Sequence, residues 1–387
     1  MGTRALRFFC LCFIATISVV LLGCGSGNSH SVCGTCCAAC PADFTPLLYA
    51  TTSSNQILGF TIDRNSGALT AIPAATGPAN SQSIAAESNS LVFADTSTNS
   101  VDSVGVNLVS GAFMAIQGSP FSLGTSNGGP TGIAVGPFGY LYATEPNGTI
   151  VGLGAGSELG SFATPLPGSP YSAGVAPAQI TFGAGSNNTN FLYASDPGDA
   201  TGGILAYSLD STGALTPING SPFPTLAGAN PSFVLSGNYM ASQGVQGAGF
   251  LFVSLTGAAK VAVFAIDSNT GDLTAVPGSP FLVGHGPSTL VEDEFNHLFV
   301  MNAADHTVSA FNLASNGVLT AIGTPMLVGT ATGGMAYFPE SQLYVADPAG
   351  NEIWTLNVDH TTGVLTEPGP PLLVVPNSPL QLSVFTL

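Results

Sequence analysis

PSFVLSG at residues 231–237, FLFVSL at 250–255, KVAVFAID at 260–267 and GDLTAVPGSPF at 271–281 form one unit of a pattern that recurs along the chain. Each run is short, apolar throughout or at alternate positions, and bounded by Gly, Asn, Asp, Ser or Pro, as strands between tight turns are. The second run has counterparts in LLYAT at 47, LVFAD at 91, YLYAT at 140, FLYAS at 191, HLFVM at 297 and QLYVA at 342. Its aromatic falls at Tyr49, Phe93, Tyr142, Tyr193, Phe252, Phe299 and Tyr344, with spacings of 44, 49, 51, 59, 47 and 45 residues. Repeats of four strands at this period are the length of propeller blades.

The expected fold is therefore all-β, a seven-bladed β-propeller of four-stranded antiparallel blades. The first unit, Leu47 to Ile72, lacks an inner strand, whereas the chain ends in PLQLSVFTL, an inner strand with no unit after it. Pairing the two closes the ring. The long spacing holds an extra NYMASQGVQGAG (238–249), expected to be an enlarged loop. Asp63, Asp267 and Asp359 open Asp-x-x-Thr/Ser-Gly hairpins, Asp210 the shorter Asp-Ser-Thr-Gly, and all four read as turn residues, because an Asp there bonds its own backbone two residues on. Pro120, Pro170, Pro222 and Pro280, in PGSPF-type runs, are expected to end the outer strand and lead the chain back to the axis.

The amino terminus reads differently. Arg4 and Arg7 precede an apolar run from Phe8 to Leu22, placed like a signal peptide and short for a bilayer span. Leu21-Leu22-Gly23-Cys24 resembles a bacterial lipobox, which implies cleavage before Cys24 and acylation there. Several buried acyl chains make a stable anchor, since each CH₂ contributes about 0.8 kcal/mol. Gly25 is not the Asp of an inner-membrane retention signal, so the expected location is the bacterial cell envelope, at the outer membrane. The expected organisation is a signal peptide over 1–23, a lipid-anchored tether over 24–45 and the propeller over 46–387. Within the tether lie Cys33, Cys36, Cys37 and Cys40. Disulfides in an oxidising compartment are the favoured reading of this cluster, with a zinc or iron–sulfur site as the alternative.

After cleavage only Arg64 and Lys260 oppose 21 carboxylates, a formal charge of 2 − 21 = −19. Phosphate-backbone binding needs clustered Lys and Arg. Nucleic acid is therefore excluded as a partner, and an anionic substrate held by a guanidinium clamp is disfavoured.

The units from residue 46 onward resemble the seven-bladed lactonase propellers, which include the propeller type of 6-phosphogluconolactonase and fungal muconate cycloisomerases. The likeness rests on the Tyr-Val second strand, the Val-x-Val-Phe third strand and the Gly-x-Leu-Thr fourth strand. Those enzymes carry Gly-Pro-Arg-His, an inner strand, a Pro-Asp-Gly turn and a strand ending in Asn-Glu. The corresponding stretch here is GPTGIAVGPFGYLYATEPNGTI (129–150). The resemblance implies that Glu145 stands at the catalytic glutamate, but Thr131 and Gly132 replace Arg and His, and Thr144 replaces Asn. At the end of a strand, Glu145 is expected to be an exposed loop acid.

The same loop types place Asp95, Asp196, Asp199, Lys260, His285, Asp305, His306 and Asp347 on the Glu145 face. These are candidates for binding, with Ca²⁺ at a carboxylate ring as the candidate cofactor and His285 as a candidate general base. Glu292, Asp293 and Glu294 enter a turn on the opposite face, and Arg64 is also expected there. The favoured function is a binding module engaging a protein or glycan through the loop face. The alternatives are a lactone hydrolase using Glu145 with His285 on an uncharged lactone, and a redox or metal-handling protein using the cysteine cluster. Replacing Cys24 with Ser should leave the protein unacylated and in the soluble fraction; unchanged acylation and membrane fractionation would contradict the lipobox reading.

Overall fold

A computed structural model describes residues 45–385 apart from breaks at 55, 77–80, 82, 88, 125–127, 186–189, 242–244, 331–332, 368–372 and 376. The chain divides into two units, Met1–Asp43 and Phe44–Leu387, and the described residues all lie in the second. The lipobox and cysteine-cluster readings fall outside the described residues.

Seven four-stranded antiparallel sheets form a ring. From the axis outward, blade 1 comprises Pro379–Phe385, Leu47–Thr52, Gln56–Ile62 and Leu69–Thr76. Blade 2 comprises Ile84–Glu87, Ser90–Asp95, Ser100–Val106 and Phe113–Ala115, and blade 3 Gly132–Val135, Leu141–Glu145, Thr149–Ala155 and Phe162–Pro165. Blade 4 comprises Ile180–Ala184, Asn190–Ser195, Gly203–Leu209 and Leu215–Pro217, and blade 5 Pro231–Ala241, Val245–Leu255, Lys260–Ile266 and Leu273–Ala275. Blade 6 comprises Pro287–Glu292, His297–Asn302, Thr307–Leu313 and Leu319–Leu327, and blade 7 Met335–Phe338, Gln342–Asp347, Glu352–Val358 and Leu365–Thr366. Each inner strand touches the inner strands on both sides, around the whole circle. The last strand closes it, Tyr49 pairing with Ser383 and Leu47 with Phe385.

Second strands are buried on both faces, which is why they read as continuous apolar runs. Six of the seven aromatics face the following blade, as Tyr142 does in packing against Leu192 and Ala194. Blade 2 differs. There Val92 packs against Leu141 and Ala143 of blade 3, while Phe93 packs backward against Tyr49 of blade 1. Aligning Phe93 with the other aromatics is thus one residue out, and in a strand a one-residue slip reverses the face.

The blades are fastened by the outer hairpin turns. Tyr49, Tyr142, Tyr193 and Tyr344 donate from Oη to the carbonyls of Gly111, Gly213, Gly271 and Gly67, at 3.0, 2.7, 2.8 and 2.8 Å. In each case the acceptor is the turn glycine of the next blade. Burial raises the pKa of these phenols above the usual tyrosine value, so they keep the proton and remain donors. A buried bond of this kind contributes about 1 kcal/mol. Asp63, Asp210, Asp267 and Asp359 each accept backbone N–H groups within their own turns, as turn chemistry predicts. Arg64 pairs with Glu340 in the inner hairpin turn of blade 7.

Two expectations are corrected. NYMASQGVQGAG is not simply a loop: the inner and second strands of blade 5 extend into it, with Met240 opposite Gln246 and Ala241 opposite Val245. The PGSPF runs interrupt the edge rather than end it. Ser119, Ser169, Ser221 and Ser279 accept from the N–H of Ser103, Gly152, Ala206 and Val263 through Oγ, substituting for a missing ladder bond. After each proline, Phe121–Ser122, Tyr171–Ser172, Phe223–Pro224 and Phe281–Leu282 pair again with the third strand.

At Gly271 φ is +76°, and a Cβ would lie 2.5 Å from Phe191 Cδ1 of the preceding blade. Gly323, with φ +61°, has nothing within 4 Å of that position. Gly323→Ala should cost about 1 kcal/mol for the left-handed backbone alone. Gly271→Ala should cost a further ~1–3 kcal/mol for overpacking. Equal losses in denaturant unfolding would contradict the close docking of the turn.

Candidate functional site

The second strands end on one face at Thr52, Asp95, Glu145, Leu255, Asn302 and Asp347, with Asp196 just past the end in blade 4, and none of the seven is more than 7% exposed. A buried carboxylate or amide needs hydrogen-bond partners. These residues find them in the loops beside them. Asp196 accepts from the N–H of Val175, Ala176 and Gly198 at 2.7, 2.9 and 3.1 Å. Asp347 accepts from Thr330 N–H at 2.8 Å and Gly350 N–H at 3.0 Å. Asn302 Oδ1 accepts from Gly284 N–H at 3.0 Å. Asp95 accepts from the N–H and hydroxyl groups of Ser97 and Thr98. Thr52 exchanges bonds with the backbone of Gln56.

Glu145 belongs to this set. It is fully buried and accepts the Thr149 hydroxyl at 2.7 Å, across the ladder from itself. The expectation of an exposed loop acid is therefore wrong. A hairpin of three residues brings Thr149 back over the carboxylate and shields it from water. Thr131 and Thr144 hydroxyls donate to the carbonyls of Pro177 and Ala178 at 2.9 and 2.7 Å, with their Oγ1 atoms 2.9 Å apart. They tie blade 3 to the loop leading into blade 4.

The remaining candidates divide between turns and one exposed pair. Asp199 accepts from the N–H and hydroxyl of Thr201. Lys260 opens the third strand of blade 5, paired through its backbone with Leu255 and Leu282. His306 sits at φ +54° with Nδ1 buried and no hydrogen-bond partner among the described residues. His285 and Asp305 come together: the His285 N–H donates to Oδ2 at 2.6 Å, and Nδ1 lies 3.0 and 3.1 Å from the two carboxylate oxygens. The imidazole is 79% exposed. The N–H bond from His285, its side-chain bond, and the nearby charges of His285 and His306 hold Asp305 below the usual carboxylate range. Among the described residues no three His, Cys, Asp or Glu side chains converge as a metal site. On the opposite face, Asp293 and His297 form a buried pair at 2.7 Å.

No family model matches the sequence, and no curated protein resembles it at sequence level. Solved structures do resemble the fold. A candidate 6-phosphogluconolactonase from Bacteroides fragilis NCTC 9343 superposes with a TM-score of 0.72 at 17% identity, over 90% of this chain and 100% of the other. The periplasmic gluconolactonase of Pseudomonas aeruginosa gives 0.72 at 18%, over 88% and 99%. A candidate 6-phosphogluconolactonase from Bacteroides uniformis ATCC 8492 gives 0.71 at 16%, over 88% and 100%. The chain thus has the seven-bladed arrangement of the lactonase-like propellers, a likeness of fold.

Sequence reasoning passed over Asp102, which sits mid-strand in VDSVGVN and pairs across the ladder with Phe93. Burial, and then the charge of Asp95, push its carboxyl up to about 6. Its signal was a carboxylate inside a half-buried third strand. With the folded value above the unfolded 3.8, its neutral form supports the fold below pH 4, and that support is lost as pH rises through 6. Asp102→Asn should therefore melt above the parent at pH 7 and alongside it at pH 3.5. A pH-independent difference would contradict this assignment.

Proposed function

We propose that the protein is a binding propeller of the bacterial envelope, tethered by lipid on Cys24, that engages a protein or glycan through its loop face. The observation that carries this reading is the fully buried Glu145, engaged by Thr149, with Thr131 and Thr144 spent on tying two blades together. Opening a lactone requires a base or activated water and a donor for the developing oxyanion. At blade 3 the side chains that would supply these groups are serving as braces. The loops carrying the braces are presented as a fixed surface, which suits recognition.

A second reading, hydrolysis of an uncharged lactone, is favoured by the exposed His285–Asp305 pair and is compatible with the gluconolactonase neighbour. Fold alone does not decide activity. A phosphorylated lactone is disfavoured on either reading, because among the described residues no guanidinium clamp lies near blade 3 and Arg64 is engaged with Glu340.

Purified protein should hydrolyse 6-phosphogluconolactone no faster than buffer, and Glu145→Gln should leave that result unchanged. Efficient turnover of the phosphorylated lactone, abolished by Glu145→Gln, would overturn the binding reading.

A further inference from the structure

We propose that the face opposite the loop face rests on a zwitterionic lipid surface through Val109, Phe138 and Leu159 of blades 2 and 3, with the loop face turned to solvent. This rests on the lipid-anchor reading above and adds the orientation in which the anchor holds the propeller.

The hairpin turns between inner and second strands, and between third and fourth strands, lie on that opposite face. In most blades they are acidic. Asp63, Asp210, Asp267 and Asp359 open the outer turns of blades 1, 4, 5 and 7, and Asp293 and Glu294 occupy the inner turn of blade 6. Blades 2 and 3 have Asn107 and Gly156 where those aspartates stand, and their turns carry large apolar side chains instead. Val109 is 70% exposed, Leu159 59% and Phe138 58%. Phe138 also stands at φ +70°, a left-handed backbone that disfavours a bulky residue and that burial does not offset here. Phe295, on the same face, is engaged instead: its ring lies 4.4 Å from that of His360, and Glu294 precedes it.

The three side chains belong to one sector. Glu87 of blade 2 accepts the Gly160 N–H beside Leu159, and its Oε1 lies 3.1 Å from where a Cβ on Gly139, beside Phe138, would stand. Burial pushes this carboxyl up, which weakens the charge at the centre of the sector. Glu158, beside Leu159, is the exposed carboxylate among the described residues of these turns. The turn of Val109 docks on the first strand of the ring, a Cβ on Gly111 falling 3.0 Å from Leu47 Cδ2. Leu47 is where the chain from Cys24 enters blade 1.

That connection selects the occupant. Between Cys24 and Leu47 lie 46 − 24 = 22 residues. They span at most ~80 Å when fully extended, so an acylated Cys24 keeps the sector within reach of lipid. At the effective concentration a tether provides, a few apolar side chains seated at the headgroup boundary suffice for contact. The surrounding carboxylates repel an anionic surface, which leaves a zwitterionic one.

The test uses the purified acylated protein in phosphatidylcholine vesicles containing a lipid with a nitroxide near the headgroup. Trp354, the single tryptophan, lies mid-strand in blade 7 and sets the background. Fluorescence of Phe138→Trp should shift to the blue and be quenched by the nitroxide lipid. Val175→Trp, at a side chain 59% exposed on the loop face, should show neither effect. Adding Val109→Asp and Leu159→Asp to Phe138→Trp should abolish the quenching while the protein still floats with the vesicles. Floating protein quenched at Val175→Trp, or at neither position, or unaffected by the two aspartates, would overturn this contact and leave the anchor intact. Protein that does not float would overturn the anchor reading and the contact with it.

Discussion

A polar group withdrawn from water at the end of a short strand must be satisfied by whatever lies next to it, and in this propeller that neighbour is loop backbone. The shape of the loop face follows from this constraint. Asp196 accepts from Val175, Ala176 and Gly198 and Asp347 from Thr330 and Gly350, so in blades 4 and 7 the incoming loop and the outgoing turn are held to one buried carboxylate, and in blade 6 Asn302 holds the incoming loop through Gly284. Blades 1 to 3 bond their strand-end group within the outgoing hairpin, and blade 5 has no polar group there. Its strand ends in Leu255, and hydroxyls take over: Ser232 bonds Ser254 at 3.0 Å, and Thr256 donates to the Pro287 carbonyl at 2.8 Å. Asp196 and Asp347, carboxylates at strand ends, thus serve as loop anchors.

Fastening between blades is a separate matter, resting on turn glycines docked against the preceding second strand. Both devices are periodic, and periodicity is what sequence reads well. The seven units, the closure by PLQLSVFTL and the turn role of Asp63 or Asp267 were all legible because each depends on local spacing. Less was legible where two registers compete. LVFAD offers Val92 and Phe93 for the same forward-facing position, and only contact with blade 3 selects Val92. Burial of Glu145 was invisible for a similar reason: a strand-end acid reads as exposed until the returning hairpin places Thr149 over it. The pairing of His285 with Asp305, 20 residues apart, depends on loop conformation that no spacing encodes.

Charge then restricts what the face can meet. With carboxylates far outnumbering Lys and Arg, long-range attraction favours neutral or cationic partners. Within this fold Glu145 is fully buried at the end of its strand. The paired His285 and Asp305 side chains, in contrast, are open to solvent.

The central claim, that buried strand-end groups rather than loop flexibility define the functional face, is tested most directly by amide hydrogen exchange. The N–H groups of Val175, Ala176, Gly284, Thr330 and Gly350 lie in loops yet should be protected to the level of strand amides. Asp196→Ala should release Val175 and Ala176 selectively. Exchange of these amides in the parent at open-loop rates would contradict the account.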